Sequence, residues 1–130
     1  MRDILFRGKR KKDGKWVYGN YAVTDNNGKQ HFVLKNKAFE FEVDPKTVGQ
    51  YTGLTDKNGK KIFEGDILRV AYHPEQDVII EWSDGCFGFR RANKPKDRVY
   101  STVRYMQNAM SRLKIIGNIY DNPELLEVEE

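Results

Sequence analysis

The stretch Val78-Ile79-Ile80-Glu81-Trp82-Ser83-Asp84-Gly85-Cys86-Phe87-Gly88-Phe89 decides the fold class. Val78, Ile80 and Trp82 point one way and Glu81 the other, the period-two pattern of a strand. Asp84-Gly85 favours the tight turns that join antiparallel strands, because both residue types tolerate positive φ. Cys86-Phe87-Gly88-Phe89 then reads as the returning strand. The same device recurs along the chain. Asp13-Gly14 precedes Trp16-Val17-Tyr18, Asn27-Gly28 precedes His31-Phe32-Val33-Leu34, and Asn58-Gly59 precedes Ile62-Phe63. Four Asx-Gly pairs in 130 residues predict a mainly β, antiparallel, hairpin-rich protein.

Alternation extends this reading. Phe39, Phe41 and Val43 oppose Glu40 and Glu42; Leu68, Val70 and Tyr72 oppose Arg69 and Ala71. Ile115, Gly117 and Ile119 suggest a late strand, and Pro45 and Pro74 flank the runs instead of interrupting them. Strands near 66–72, 77–82, 86–91 and 115–120, with one around Ile62, predict an SH3-like small barrel within residues 51–130. Residues 1–50 form a hairpin-rich β lobe, and the two parts are expected to pack as one compact unit. Such a lobe has sheet edges to cover, so a homo-oligomer is expected. Helix is confined to one or two short pieces. Val103, Met106, Met110 and Leu113 recur at helical spacing over 102–112, and Asn122-Pro123 can open a helical turn. The acidic end from Glu124 onward is expected to fray.

Composition sets the outer bounds. Hydrophobic residues make up 38% and aromatics 12%, so the lean apolar share is carried by bulky rings. No apolar run approaches the ~20 residues of a membrane helix, which excludes a helical membrane span. Cys86 is the only cysteine, so no disulfide forms within the chain. The start, Met1 to Arg7, has too short an apolar run for a signal peptide, and a cytoplasmic location is expected. The net charge of +4 averages over uneven segments. Residues 90–114 hold eight basic side chains against Asp97 alone, whereas the last ten residues hold five acids and no base.

Tests for chemistry return little. His31 and His73 stand far apart and Cys86 has no partner cysteine, so no metal site is expected. Asp56-Lys57-Asn58-Gly59 opens like a calcium loop, but its glycine falls two places early and Ile67 occupies the position of the closing glutamate. A phosphate loop fails at Gly53 to Gly59-Lys60, where the spacing is one residue too long and Lys61 replaces the Ser or Thr. Ser83 and Cys86 flank a turn with no histidine at a catalytic spacing. Glu64-Gly65-Asp66 is the one suggestive carboxylate pair, able in principle to do acid–base work or bind a divalent cation, but with no third ligand or partner base in sequence a tight turn entering Ile67-Leu68 is the favoured reading. The expectation is a chain that is not an enzyme and carries no cofactor.

Two basic stretches remain. Arg7, Lys9, Arg10, Lys11 and Lys12 precede the first turn, with Trp16 just beyond; Arg90, Arg91, Lys94 and Lys96 form the second, continued by Arg98. Cationic hairpin tips beside aromatic strands can track phosphates and stack bases. Lysine-rich turns also serve simply to keep hairpins soluble. The function expected is a non-enzymatic binding module, with nucleic acid the first partner class and a protein-interaction adaptor the alternative. An enzyme using Glu64 and Asp66 ranks third.

One longer block is specific: Gln50-Tyr51-Thr52-Gly53-Leu54-Thr55-Asp56-Lys57-Asn58-Gly59-Lys60-Lys61-Ile62-Phe63-Glu64-Gly65-Asp66-Ile67-Leu68. With Phe6-Arg7-Gly8, Trp16-Val17-Tyr18-Gly19 and Ile115-Ile116-Gly117-Asn118-Ile119-Tyr120-Asp121-Asn122-Pro123 it resembles the signature of the YopX family, small proteins encoded by bacterial phages and prophages. The resemblance implies a mainly β phage or prophage protein in the cytoplasm of a bacterial host, makes a host or phage protein the adaptor's expected partner, and offers no catalytic residue to carry over. Within it Tyr51, Gly53, Asn58, Gly59, Glu64, Gly65, Asp66, Gly117 and Asn118 are expected to be structural, since they are turn glycines, turn polar groups and strand residues.

Overall fold

A computed structural model describes residues 4–71, 73–83, 85–93, 100–101 and 112–126. The chain divides into two units, Met1–Tyr51 and Thr52–Glu130, both built on antiparallel strands.

The first unit contains β1 (Phe6–Lys9), β2 (Trp16–Asn26), β3 (Lys29–Asn36), β4 (Phe39–Glu42) and the start of β5 (Gly49–Thr55), in the order β4-β3-β2-β1-β5. Asn27 and Gly28 both adopt positive φ, 56° and 80°, and join Asn26 directly to its partner Lys29. The Asp25 carboxylate accepts the Gly28 N–H and fixes that turn. At Asp13-Gly14 and Asn58-Gly59 only the glycine is left-handed, contrary to the uniform turn read from sequence. These loops are longer, and a longer hairpin loop needs one positive φ instead of two. Leu34 and Val43 are fully buried and meet near Gly8; Val33 and Tyr51 are buried as well. A single bridge, Arg10 to Val43, brings the end of β4 back to the end of β1. Asp44 then caps a short 3-10 turn, Pro45–Thr47, that delivers the chain to β5.

In the second unit the far half of β5 lies beside β6 (Lys61–Phe63), and the Thr52 hydroxyl donates to the Ile62 carbonyl. The main sheet follows: β7 (Asp66–Val70), β8 (His73–Ser83), β9 (Cys86–Arg91), β10 (Tyr100–Ser101) and β11 (Leu113–Asn118), in the order β10-β9-β8-β7-β11. Ser83 pairs with Cys86 and Gly85 has φ 82°, as the opening hairpin requires. The sheet is open, with β10 and β11 at its two edges, so this pairing does not close the SH3-like barrel expected from the sequence.

Packing explains three further differences. Val78 and Ile80 bury one face against Ile62, Leu68 and Leu113, as the alternation implies. The opposite face is buried too: Ile67, Ile79 and Ala92 pack with Ile116, Ile119, Leu125 and Leu126. The covering piece is the C-terminal 3-10 turn Pro123–Leu126, so residues 124–126 pack instead of fraying. Pro74 lies inside β8, not beside it. The β7–β8 register shifts between Leu68 and Val70, and such an irregular ladder end tolerates proline. The amphipathic helix read over 102–112 falls on 102–111, outside the described residues, whereas Arg112 stands in a turn.

Candidate binding site

The basic hairpin tip is built by β1 and β2. Lys9 lies directly opposite Trp16, and Arg7 shares its face because alternate strand residues do. The Arg7 guanidinium sits 4.7 Å from the centre of the Trp16 ring, and the Lys9 ammonium 5.5 Å, both within cation–π range. Arg7 is only 7% exposed, so its charge is largely withdrawn from solvent.

The next two cations face carboxylates. Arg10 makes a two-pronged contact to Asp13, which holds the Asp13 carboxyl far below the usual range and raises the Arg10 guanidinium. Lys11 reaches Glu42 at 3.4 Å, and His31 reaches the other Glu42 oxygen at 3.2 Å. Those two contacts, His31 first, lower the Glu42 pKa. Lys12 is exposed at the tip. Arg10, Lys11 and Lys12 face Glu40, Phe41 and Glu42 across an open groove of about 520 Å³.

The far wall of that groove is an edge strand. β4 pairs with β3, placing Leu34 opposite Phe41 and Asn36 opposite Phe39. The Val43 N–H donates to Phe32 at 2.9 Å, which fixes the alternation: Phe41 and Phe39 exchange bonds with β3 while Glu40 and Glu42 turn their amides outward. The Glu42 carbonyl is taken by Lys11 N–H at 3.0 Å, leaving the Glu40 backbone on the open edge. On one face Phe39 and Phe41 stack with ring centres 6.1 Å apart, and Phe39 is 66% exposed. The alternation of Phe39, Phe41 and Val43 was visible in sequence, but its position at a sheet edge depends on the order of pairing.

The second basic stretch is described only at its start. Arg90 bonds to Glu81 across the β8–β9 pair and Arg91 is exposed; Lys94, Lys96 and Arg98 lie outside the described residues. The carboxylate pair does not act as one group. Asp66 is 1% exposed and accepts the Phe63 N–H at 2.8 Å, closing the turn into β7. Glu64 is half-buried and lines a different groove, with Trp82 and Tyr120.

The remaining signature residues hold backbone. Tyr51 is buried and donates its N–H to Leu5; Gly53 takes φ 88° within β5. Asn58 and Gly59 form a turn around Asp56, whose carboxylate accepts N–H groups from Asn58, Lys60 and Ile115 at 2.9 to 3.0 Å. Burial pushes the Asp56 pKa up, but the three donors outweigh that effect and hold it below the ordinary value. Sequence reading rejected Asp56 as a calcium ligand and placed it in a hairpin turn, but missed its role as the cap that gathers three N–H groups. Its Asp-x-Asn-Gly context was the available signal for a turn cap. Gly65 has φ 88°, and a Cβ there would press on the Tyr120 ring at 3.1 Å. Asn118 accepts from Tyr120 and Asp121, and a Cβ on Gly117 would collide with the Asn122 side chain. Among the described residues no group of histidine, cysteine and carboxylate side chains could hold a metal, and no helix is long and apolar enough to cross a membrane.

These features define a small, mainly β protein whose most specific sequence block is spent on turns. The chain belongs to the YopX family, whose profile, described as YopX protein, matches residues 5–127. Its fold is similar to the crystal structure of protein EF1440 from Enterococcus faecalis, at a TM-score of 0.57 and 24% identity, covering 98% of this chain and 100% of that one. No curated protein is similar enough to count as a match.

Proposed function

We propose that the protein is a non-catalytic binding module whose partner is a protein, captured as an extended segment along β4. The observation that carries this reading is the exposed Phe39 ring stacked on half-buried Phe41, on an edge strand whose Glu40 amide faces outward. An added strand would gain main-chain hydrogen bonds there, and its alternate side chains would meet the two rings. A second copy of β4 in a register that matched its faces would set Glu40 and Glu42 against themselves, which repels. A segment alternating apolar and basic residues fits better.

Nucleic acid is less favoured because five of the described cations in the two basic stretches are already engaged, with Lys12 and Arg91 the exposed exceptions. Arg10 is held by Asp13, Lys11 by Glu42 and Arg90 by Glu81, while Arg7 and Lys9 lie over Trp16. A phosphate would have to displace those partners before gaining anything. The non-catalytic reading is supported by the separation of roles between Asp66, which closes a turn, and Glu64, which lines a groove.

The test is NMR titration of the full chain with short peptides alternating Val with Lys or Val with Glu, beside single- and double-stranded DNA. The Val-Lys peptide is expected to shift the Glu40 and Phe41 amides, and Phe39→Ala to weaken it about tenfold, the loss of roughly 1.4 kcal/mol. Equal binding of both peptides, or none, would overturn the reading. So would DNA binding centred on Lys12 with a steep salt dependence.

A further inference from the structure

The basic run over residues 90–114 ends in two described residues, Arg112 and Lys114, that the β4 site does not use. Leu113 between them turns into the core at 1% exposed. Strand alternation therefore turns Lys114 to the opposite face, and Arg112 stands exposed in the turn just before β11. The Asp56–Lys60 turn docks on the edge of this strand. Lys57 N–H donates to the Leu113 carbonyl at 2.9 Å, and the Asp56 carboxylate accepts the Ile115 N–H at 3.0 Å. Two segments far apart in sequence thus meet at one sheet edge, and they bring Lys57 and Lys60 to Arg112 and Lys114.

The charge gathered there is one-sided. Residues 56–61 and 112–115 hold five basic side chains and one acid, Asp56. That acid is 5% exposed and is committed to three backbone N–H groups. Lys57, Lys60, Arg112 and Lys114 are all exposed, and among the described residues none of them reaches a carboxylate at ion-pair distance. Arg69, opposite Lys114 in register, is held by Asp77. The first unit's hairpin tip is the contrast, since Arg10 and Lys11 are paired there before any ligand arrives.

The rest of the patch selects the ligand. Among the described residues the exposed large apolar side chains are Ile4, Tyr18, Val23, Phe39 and Trp82, and none belongs to these two segments. A protein interface is built round an apolar centre, and a membrane-surface site round an apolar anchor. Single strands bind where rings stack on their bases. The phosphates of a duplex need only cations.

We propose that the edge where the Asp56–Lys60 turn meets β11 binds the phosphate backbone of duplex DNA through Lys57, Lys60, Arg112 and Lys114. The contact carries no sequence preference, because backbone phosphates are the same at every step. The face lies in the second unit and does not depend on the reading given for β4.

The experiment uses the full chain and a short labelled DNA duplex, read by fluorescence anisotropy across a salt series. Four phosphate contacts give a slope of about −3.6 in log affinity against log salt, a loss of roughly a hundredfold between about 50 and 200 mM. Lys57→Gln combined with Lys114→Gln is expected to halve that slope, to about −1.8, whereas Lys12→Gln is expected to leave it unchanged. Both lysines are exposed, so the nitrogen-15 spectrum of the double variant is expected to match wild type away from the two positions. In wild type the duplex is expected to shift the amides of Lys57, Lys60 and Lys114. A slope that the double variant does not change would overturn the proposal, as would shifts centred on Lys12 or the absence of binding. Tighter binding to the separated strands, to a polyglutamate peptide or to phosphatidylserine vesicles than to the duplex would overturn it too.

Discussion

Asp56→Ala is expected to lower stability by about 3 kcal/mol, the largest loss of any surface-turn substitution in this chain. Three backbone N–H groups converge on one carboxylate: Asn58 and Lys60 on Oδ1, Ile115 on Oδ2. Hydrogen bonds to a charged group contribute about 1.5–3 kcal/mol each, and removing the acceptor strands donors at a side chain that is 5% exposed. The effects are not additive, so the sum is well below three full bonds. Urea unfolding measures the loss. Hydrogen exchange locates it, with the Lys60 and Ile115 amides expected to exchange fastest relative to wild type. The same carboxylate imposes a pH dependence. Its folded pKa lies below the ordinary 3.8, so the group stabilises the fold above that value. The stabilisation is lost as pH falls from about 4 through the lower folded pKa. Asp56→Asn is expected to flatten that part of the acid limb, whereas an unchanged limb would reassign it to other carboxylates.

The second large effect belongs to Arg69 and Asp77. The guanidinium donates to both carboxylate oxygens, at 2.9 and 2.7 Å, and Asp77 is buried on the strand beside it. Asp77→Ala is expected to cost about 2 kcal/mol, because it removes two charge-assisted hydrogen bonds from a half-buried guanidinium. The double substitution Arg69→Met, Asp77→Leu is expected to recover most of that loss, since an apolar pair removes both charges together. A double variant no more stable than Asp77→Ala would show that the carboxylate is needed for something besides the pair.

Much of this architecture was legible in the residues because hairpins announce themselves locally. Asn27-Gly28 needs nothing beyond its own two residues to adopt its turn, and the alternation in Val78 to Trp82 needs only neighbours in sequence. The order of strands is another matter. That β4 ends at an edge, or that Leu125 and Leu126 fold back over Ile79, depends on partners far away in the chain. The Val78–Ile80 face of β8 was therefore legible from alternation, whereas burial of the opposite face through Ile79 was missed. Charge was misleading for a related reason. A run such as Arg7 to Lys12 looks like an open cationic surface until pairing brings Asp13, Glu42 and Trp16 against it. The groove beside β4 lay further still from sequence view, since Lys11 and Glu40 come to one groove only through the order of strand pairing.

The asparagine-glycine turns carry a consequence in chemical time. Asparagine before glycine ages when the glycine nitrogen attacks the side-chain carbonyl, releasing ammonia and closing a succinimide ring that water then opens to aspartate or its isomer. Here both attacking nitrogens are occupied: Gly28 N–H donates to the Asp25 carboxylate at 2.9 Å and Gly59 N–H to the Asp56 carbonyl at 3.0 Å. Each turn must open before it can age. The slow appearance of negative charge at Asn27 and Asn58 is thus a clock, ticking at the rate at which each hairpin loosens its tip.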